Sequence, residues 1–224
     1  MARQEAIYVY EAPLRLWHWV NALAITVLVL TGYLIGSPLP SMPGEASGNF
    51  LMGYIRFAHF AAGYVLLIGM LGRIYWAFVG NEHSRQLFKL PFWSGSYWKE
   101  LWFEIRWYAF LEQEPKKYAG HNPLAQFFML TMFFLGTVFM IVTGFALYSE
   151  GAGQGSWSDK LFGWVIPAMG QSQDVHTYHH LGMWYVLTFV IVHIYASIRE
   201  DIMSRQSLIS SMVSGWRLFK DDRP

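Results

Sequence analysis

Polar and apolar positions in this chain are segregated into long blocks rather than alternating. Residues 17–36, WHWVNALAITVLVLTGYLIG, contain no Asp, Glu, Lys or Arg. A second block covers about 54–79, with sixteen uncharged residues between Arg56 and Arg73, which are placed to snorkel outward at its two ends. A third, about 123–148, has no charge at all, and a fourth, about 176–200, is apolar apart from its histidines and its last residues. About 20 apolar residues of helix cross a hydrocarbon core about 30 Å thick. Trp or Tyr flanks every block, as at a membrane–water interface. The pattern predicts an all-α membrane protein, a four-transmembrane-helix bundle forming one domain over residues 1–224.

Between the blocks the pattern changes. SPLPSMPGEASGN, after the first block, is a loop rich in Pro, Gly and Ser. SGSYWKELWFEIRWYAFLEQE repeats apolar residues at Trp98, Leu101 or Trp102, Ile105, and Tyr108 or Ala109. That period predicts an amphipathic helix over about 95–111, and its Trp content suits a helix lying in the interface. The tail 206–219 shows a weaker pattern of the same kind at Leu208, Met212, Val213 and Trp216. Packing of either face against the bundle or a partner protein fits the same periodicity.

Composition supports the membrane reading. Hydrophobic residues make up 54% of the 224 and charged residues 14%, which leaves too little polar surface for a soluble domain with four such helices. No basic run points to nucleic acid. There is no cysteine, which excludes disulfides, thiolate zinc sites and cysteine-held iron–sulfur clusters, and makes any haem non-covalent. The N-terminal residues carry two acids and no small-residue cleavage site, so no cleaved signal peptide is expected. Of sixteen Lys and Arg, all but Arg56 and Lys160 fall in the N-terminal segment, the 80–122 loop with Arg73 at its edge, or the C-terminal tail. The positive-inside rule then places both termini in the cytoplasm.

Of eight histidines, His83, His121, His176 and His180 lie in loops or at helix edges, and His18, His59, His179 and His193 lie in the apolar blocks. Ionisable groups at membrane depth are expensive and mark function. His18, early in an outward helix, and His193, late in an inward one, fall at the cytoplasmic level. His59 and His179, both early in inward helices, fall at the outer level. His179 and His193 are fourteen residues apart, about 21 Å and close to four turns of one helix, so they share a face. The result is two histidine pairs, one per leaflet, as bis-histidine ligation of two b-type haems requires. His179 fits the spacing better than its neighbour His180.

Arg15 and Arg56 each stand one turn outside a histidine, in Arg15-x-x-His18 and Arg56-x-x-His59, where an Arg can pair with haem propionates. Interfacial snorkelling explains each Arg alone equally well. Gly32, Gly72, Gly136 and Gly144 fall where a backbone would approach a macrocycle, although small residues also serve ordinary helix contacts. A proton or metal pathway would use carboxylates, and the helix interiors hold none.

These residues resemble the b-type cytochrome subunit of membrane-bound [NiFe] uptake hydrogenases. The matching stretches are EAPLRLWHWVNALAITVLVLTGYLIGSPLP (11–40), MGYIRFAHFAAG (52–63), RIYWAFVGN (73–81), EIRWYAF (104–110), GHNPLAQ (120–126), IVTGFALYSE (141–150), HHLGMW (179–184) and HIYASIREDIM (193–203). The resemblance implies two non-covalent haems b, ligated by His18 with His193 and by His59 with His179, in a bacterial inner membrane. It implies electron transfer from the small and large subunits of a periplasmic hydrogenase to the quinone pool, with no hydrogen-activating site in this chain. The external loops 37–53 and 149–175 are the natural docking surfaces for that partner. Quinone candidates beside the inner haem are His121, Asn122 and Arg199, with Glu200 and Asp201 near them; Asn122 and Pro123 read equally well as a helix start. The alternatives are service to a formate dehydrogenase or thiosulfate reductase, or a membrane anchor whose haems are structural.

Overall fold

The computed structural model describes residues 4–40 and 43–220; positions 41 and 42 of the 37–53 loop and the extreme terminal residues lie outside the described residues. In chain order the main elements are β1 (Gln4–Tyr8), α1 (Ala12–Gly36), α2 (Leu51–Val79), α3 (Gly95–Tyr108), α4 (Pro123–Ala152), α5 (Ser172–Ser204), α6 (Leu208–Ser214) and β2 (Trp216–Lys220). Short helical turns at Glu82–Arg85, Trp157–Phe162 and Val165–Met169 punctuate the loops. The fold is thus all-α apart from one two-stranded sheet, and α1, α2, α4 and α5 are long and apolar enough to cross a membrane. Only 11–28% of their most apolar windows is buried, so most of that apolar surface points outward and its solvent is lipid.

Each spanning helix extends a few residues beyond its apolar block. α1 starts with Pro13 in its first turn, where a missing N–H leaves nothing unsatisfied. α4 starts on Asn122, whose side-chain oxygen accepts from the Ala125 N–H at 2.7 Å. The unbroken helix expected over 123–148 is corrected in one respect: Met129–Phe134 is wound as π-helix. The wider turn leaves Phe133 buried among rings that bear on the site.

The described residues form two compact units, and each spanning helix contributes one end to each. The first comprises residues 4–18, Gly72–Phe134 and 189–220. Here β1 pairs antiparallel with β2, from Gln4 opposite Lys220 to Tyr8 opposite Trp216. Gly215, at φ +86°, ends α6 and accepts from the Val9 and Tyr10 N–H groups; a Cβ there would meet the Tyr10 carbonyl at 2.6 Å. The tail is therefore corrected too: it is helical only to Ser214, then turns into a strand. The Glu11 carboxylate joins the start of α1 to the end of α2, accepting from Trp76 Nε1 and the Asn81 N–H at 2.9 Å each and from Ser84 Oγ at 3.2 Å. α3 buries Tyr97, Leu101, Glu104 and Trp107 and ends earlier than expected, at Tyr108, before Phe110 in the left-handed region at φ 61°. Tyr97 and Leu101 pack with Leu90, Leu124, Phe127 and Leu130. Trp98, Trp102 and Ile105 stay exposed on the opposite stripe.

Arg73 contradicts the snorkelling expectation. It is only 4% exposed, lies over the rings of Trp17 and Phe88, and donates to the Ser84 carbonyl at 2.8 Å. The Glu82–Arg85 turn folds back over it and supplies that carbonyl. Arg56 is exposed, as expected.

The second unit comprises Trp19–Leu71 and Leu135–Thr188. Small residues set its helix contacts: a Cβ on Gly69 would lie 2.6 Å from Asn21 Nδ2, and one on Gly182 would lie 2.5 Å from Met140 Sδ. Tyr64, Phe145, Tyr148, Trp157 and Phe162 form a ring cluster, with Phe145 and Phe162 stacked at 5.4 Å.

Candidate functional site

The four histidines of the spanning helices face one another in two pairs. In the first unit His18 of α1 faces His193 of α5, ring centres 6.3 Å apart and planes at 52°. In the second unit His59 of α2 faces His179 of α5, centres 6.5 Å apart and planes at 73°. A metal–imidazole bond is about 2 Å long and the ring centre lies about 1 Å behind its nitrogen, so two rings gripping one metal have centres about 6 Å apart. Both pairs match that span and are too wide for direct imidazole contact. Among the described residues no group of three or more His, Cys, Asp or Glu is placed to hold a bare ion. Two histidines suffice only where the metal brings its other ligands with it, as haem iron does.

Hydrogen bonds fix which nitrogen the outer pair presents. Thr31 Oγ1 lies 2.6 Å from the Val27 carbonyl and 2.9 Å from His59 Nδ1. Its single proton goes to the carbonyl, so the hydroxyl must accept from Nδ1–H. Thr143 Oγ1 repeats the arrangement, 2.8 Å from the Phe139 carbonyl and 2.8 Å from His179 Nδ1. In both rings Nε2 keeps its lone pair free for a metal, and the hydroxyls fix how each ring is turned. Glycines back both rings: a Cβ on Gly32 would meet His59 Cε1 at 3.2 Å and one on Gly144 would meet His179 Cε1 at 3.1 Å. At Gly72 it would meet nothing within 4 Å, and at Gly136 it would meet Tyr185 and Val186, an ordinary helix contact.

The inner pair sits in a layer of aromatic rings. His193 stacks on Phe189 at 5.6 Å, Phe189 meets Phe133 at 5.4 Å with its plane tilted by 33°, and Phe133 meets Trp17 edge-on at 6.0 Å. The π-turn in α4 and the position of Trp17 beside His18 make this layer. His180 is used elsewhere: it accepts from Trp184 Nε1 at 3.2 Å.

The remaining predicted site residues divide. Arg15 donates to the Val213 carbonyl at the end of α6, and Arg56 is exposed. Asn122 and Arg199 converge on Tyr108. The Asn122 amide hydrogen-bonds the Tyr108 hydroxyl, while Arg199 lies over the Trp107, Tyr108 and Phe110 rings at 4.6–4.9 Å and donates to the Trp107 carbonyl at 2.7 Å. Burial, with the Glu200 carboxylate, pushes the Tyr108 hydroxyl up to about 12. His121 goes elsewhere, 5.8 Å from the Tyr10 ring. Burial, then the nearby Arg217 and Arg73, push it down to about 3 and hold it neutral. Sequence reasoning missed Thr31, Thr143 and the buried Arg73.

Fold and site together define a class: an all-α membrane protein of four spanning helices that carries two facing histidine pairs. The chain belongs to the prokaryotic cytochrome b561 family, whose model matches residues 9–215. It is 71% identical over 222 residues to the "Probable Ni/Fe-hydrogenase B-type cytochrome subunit" of Azotobacter vinelandii, covering 99% of this chain and 92% of that one. The protein of the same name from Cupriavidus necator is 67% identical over 217 residues, covering 97% and 89%. The "Probable Ni/Fe-hydrogenase 1 B-type cytochrome subunit" of Escherichia coli K12 is 52% identical over 218 residues, covering 95% and 91%. A b-type cytochrome carries haem b, and the two imidazole gaps and the tautomer set by Thr31 and Thr143 fit that group.

Proposed function

We propose that this chain is the membrane subunit of a Ni/Fe hydrogenase complex, anchoring the hydrogenase and handing its electrons to membrane quinone. The observation that carries this is the pair of histidine gaps of 6.3 and 6.5 Å, each built from α5 and one other spanning helix. His18 with His193 and His59 with His179 would hold two haems b, which would supply one-electron carriers. With two imidazoles committed to each iron, the sites would favour electron transfer over binding of oxygen.

The chain's own residues do the rest. Thr31 and Thr143 hold the outer imidazoles in the ligating tautomer, and Phe133, Phe189 and Trp17 exclude water from the inner pair. Both termini lie in the cytoplasm of a bacterial inner membrane, on the reading of the basic residues. The outer pair then faces a periplasmic hydrogenase docked on loops 37–53 and 149–175, and the inner pair faces the quinone. The hydrogenase partner rests on the names of the relatives. Because the chain has no cysteine, the iron–sulfur clusters that deliver electrons belong to the hydrogenase subunits. His121, Asn122 and Arg199 flank the quinone end, with Asn122 and Arg199 meeting at Tyr108. Asn122→Ala is expected to lower quinone-linked activity while dye-linked activity stays; equal activities in the variant would move the quinone site elsewhere.

The test of the whole reading is purification from membranes in mild detergent. It predicts co-purifying nickel, two haems b per chain, and hydrogen-dependent quinone reduction. Folded chain that carries haem but never nickel would remove the hydrogenase from the proposal.

A further inference from the structure

Arg73 is a buried guanidinium without a carboxylate. It is 4% exposed, and among the described residues no Asp or Glu forms an ion pair with it. One terminal nitrogen donates to the Ser84 carbonyl at 2.8 Å, while the other, Nη1, is buried with no acceptor. A guanidinium does not shed its charge, so a buried one calls for an anion. Its surroundings belong to the inner site. Arg73 lies 5.7 Å from the centre of the Trp17 ring, Trp17 precedes His18, and the ring layer leads from Trp17 through Phe133 and Phe189 to His193.

A second unused donor lies close by. His121 is half-buried, and its Nδ1 is shielded from solvent with no partner. Its backbone N–H donates to Gln86 Oε1 at 3.2 Å, and Gln86 directly follows the Glu82–Arg85 turn that covers Arg73. Of the other buried arginines of this unit, Arg217 is committed to the Gly120 carbonyl at 2.6 Å and Gln206 Oε1 at 2.8 Å, and Arg199 to the Trp107 carbonyl at 2.7 Å under the rings of Trp107, Tyr108 and Phe110. Arg15, the sequence candidate for this role, is turned to the Val213 carbonyl.

We infer that Arg73, assisted by His121, receives the propionate carboxylates of the haem held by His18 and His193. This rests on the two-haem reading above and adds to it the anchor of the inner macrocycle. A lipid phosphate shares the chemistry, but Arg73 is shut inside aromatic rings, away from the surface where headgroups lie. Arg73 is a positioning residue, and its charge also bears on the inner haem: removing a cation beside a propionate favours the ferric form and lowers the midpoint potential.

The test is a redox titration of the purified complex, with both haems resolved, for wild type, Arg73→Gln and Arg73→Lys, each also reconstituted with haem dimethyl ester. Two haems in the wild type establish the underlying reading before any variant is compared; fewer would overturn that reading and this one together. Arg73→Gln is expected to shift one haem's reduction equilibrium about tenfold toward the oxidised form, about 59 mV for one electron, and to leave the other haem unmoved. Arg73→Lys, which keeps the charge and offers a fallback if Gln does not fold, is expected to shift it in the same direction by less. With the esterified haem, which offers Arg73 no carboxylate, wild type should retain the inner haem no better than Arg73→Gln does. Two retained haems with unchanged potentials would overturn the assignment and leave the histidine pairs intact. Wild type that retains the esterified haem better than Arg73→Gln would overturn it in favour of another anion, a lipid phosphate included.

Discussion

Replacing Thr143 by Val keeps the shape of the side chain and removes one acceptor. Thr143 is 1% exposed, and its hydroxyl takes the Nδ1 proton of His179 at 2.8 Å while donating to the Phe139 carbonyl at 2.8 Å. Valine leaves a buried Nδ1–H with nothing to bond, at a penalty of about 1–3 kcal/mol. Loss of such an outer-shell partner weakens metal binding by about 10- to 100-fold, or about 1.4–2.8 kcal/mol, the same range reached from the metal side. The bond also makes the imidazole a better donor, so its loss destabilises the ferric state and raises the potential of the outer haem. A tenfold change is about 59 mV. The assay is a potentiometric titration with haem-to-protein ratio measured on the same sample. The reasoning predicts one haem shifted upward or partly lost and the other unchanged. It is refuted if Thr143→Val retains two haems at wild-type potentials.

Other expectations follow from the same geometry. Thr137 is the control: its hydroxyl is buried without a partner, so Thr137→Val should leave both haems alone and raise thermal stability by about 1 kcal/mol. Gly144→Ala would press a methyl to 3.1 Å from His179 Cε1 and should lower outer-site occupancy, whereas Gly72→Ala meets nothing within 4 Å and should be silent; haem ratios separate the two. Burial, partly opposed by Tyr118 and reinforced by Glu200 and Glu100, raises Glu104 from 4.5 to about 7. The folded state therefore holds this proton more tightly than the unfolded one. Its contribution is fully present below pH 4.5 and lost as the pH rises through 7, and Glu104→Gln should flatten the melting temperature across that window.

The spanning helices were legible because charge is so costly in hydrocarbon that a stretch of twenty residues without it marks a crossing. The pairing of the histidine rings was legible because helix rise converts sequence position into depth, and four histidines fell at two depths. What stayed hidden depends on which way a side chain turns. Thr31 and Thr143 look like any helix threonine bonded to the carbonyl one turn back, and nothing in the sequence says that a histidine from another helix uses the same oxygen. Arg73 stands where a snorkelling arginine would stand, and the fold-back of the Glu82–Arg85 turn, with the Trp17 and Phe88 rings, buries it. The pairing of β1 with β2 joins short segments some two hundred residues apart, which no local pattern reports. The tail's apolar spacing suited a helix to the end, and Gly215 redirects it.

The central claim is that each histidine pair holds one haem. The most direct measurement is the reduced-minus-oxidised spectrum, with haem per chain, of His59→Ala and His193→Ala beside wild type. The account predicts two haems in the wild type and one in each variant, with a different component of the absorption band lost in each. Bands and stoichiometry that survive either substitution unchanged would contradict it.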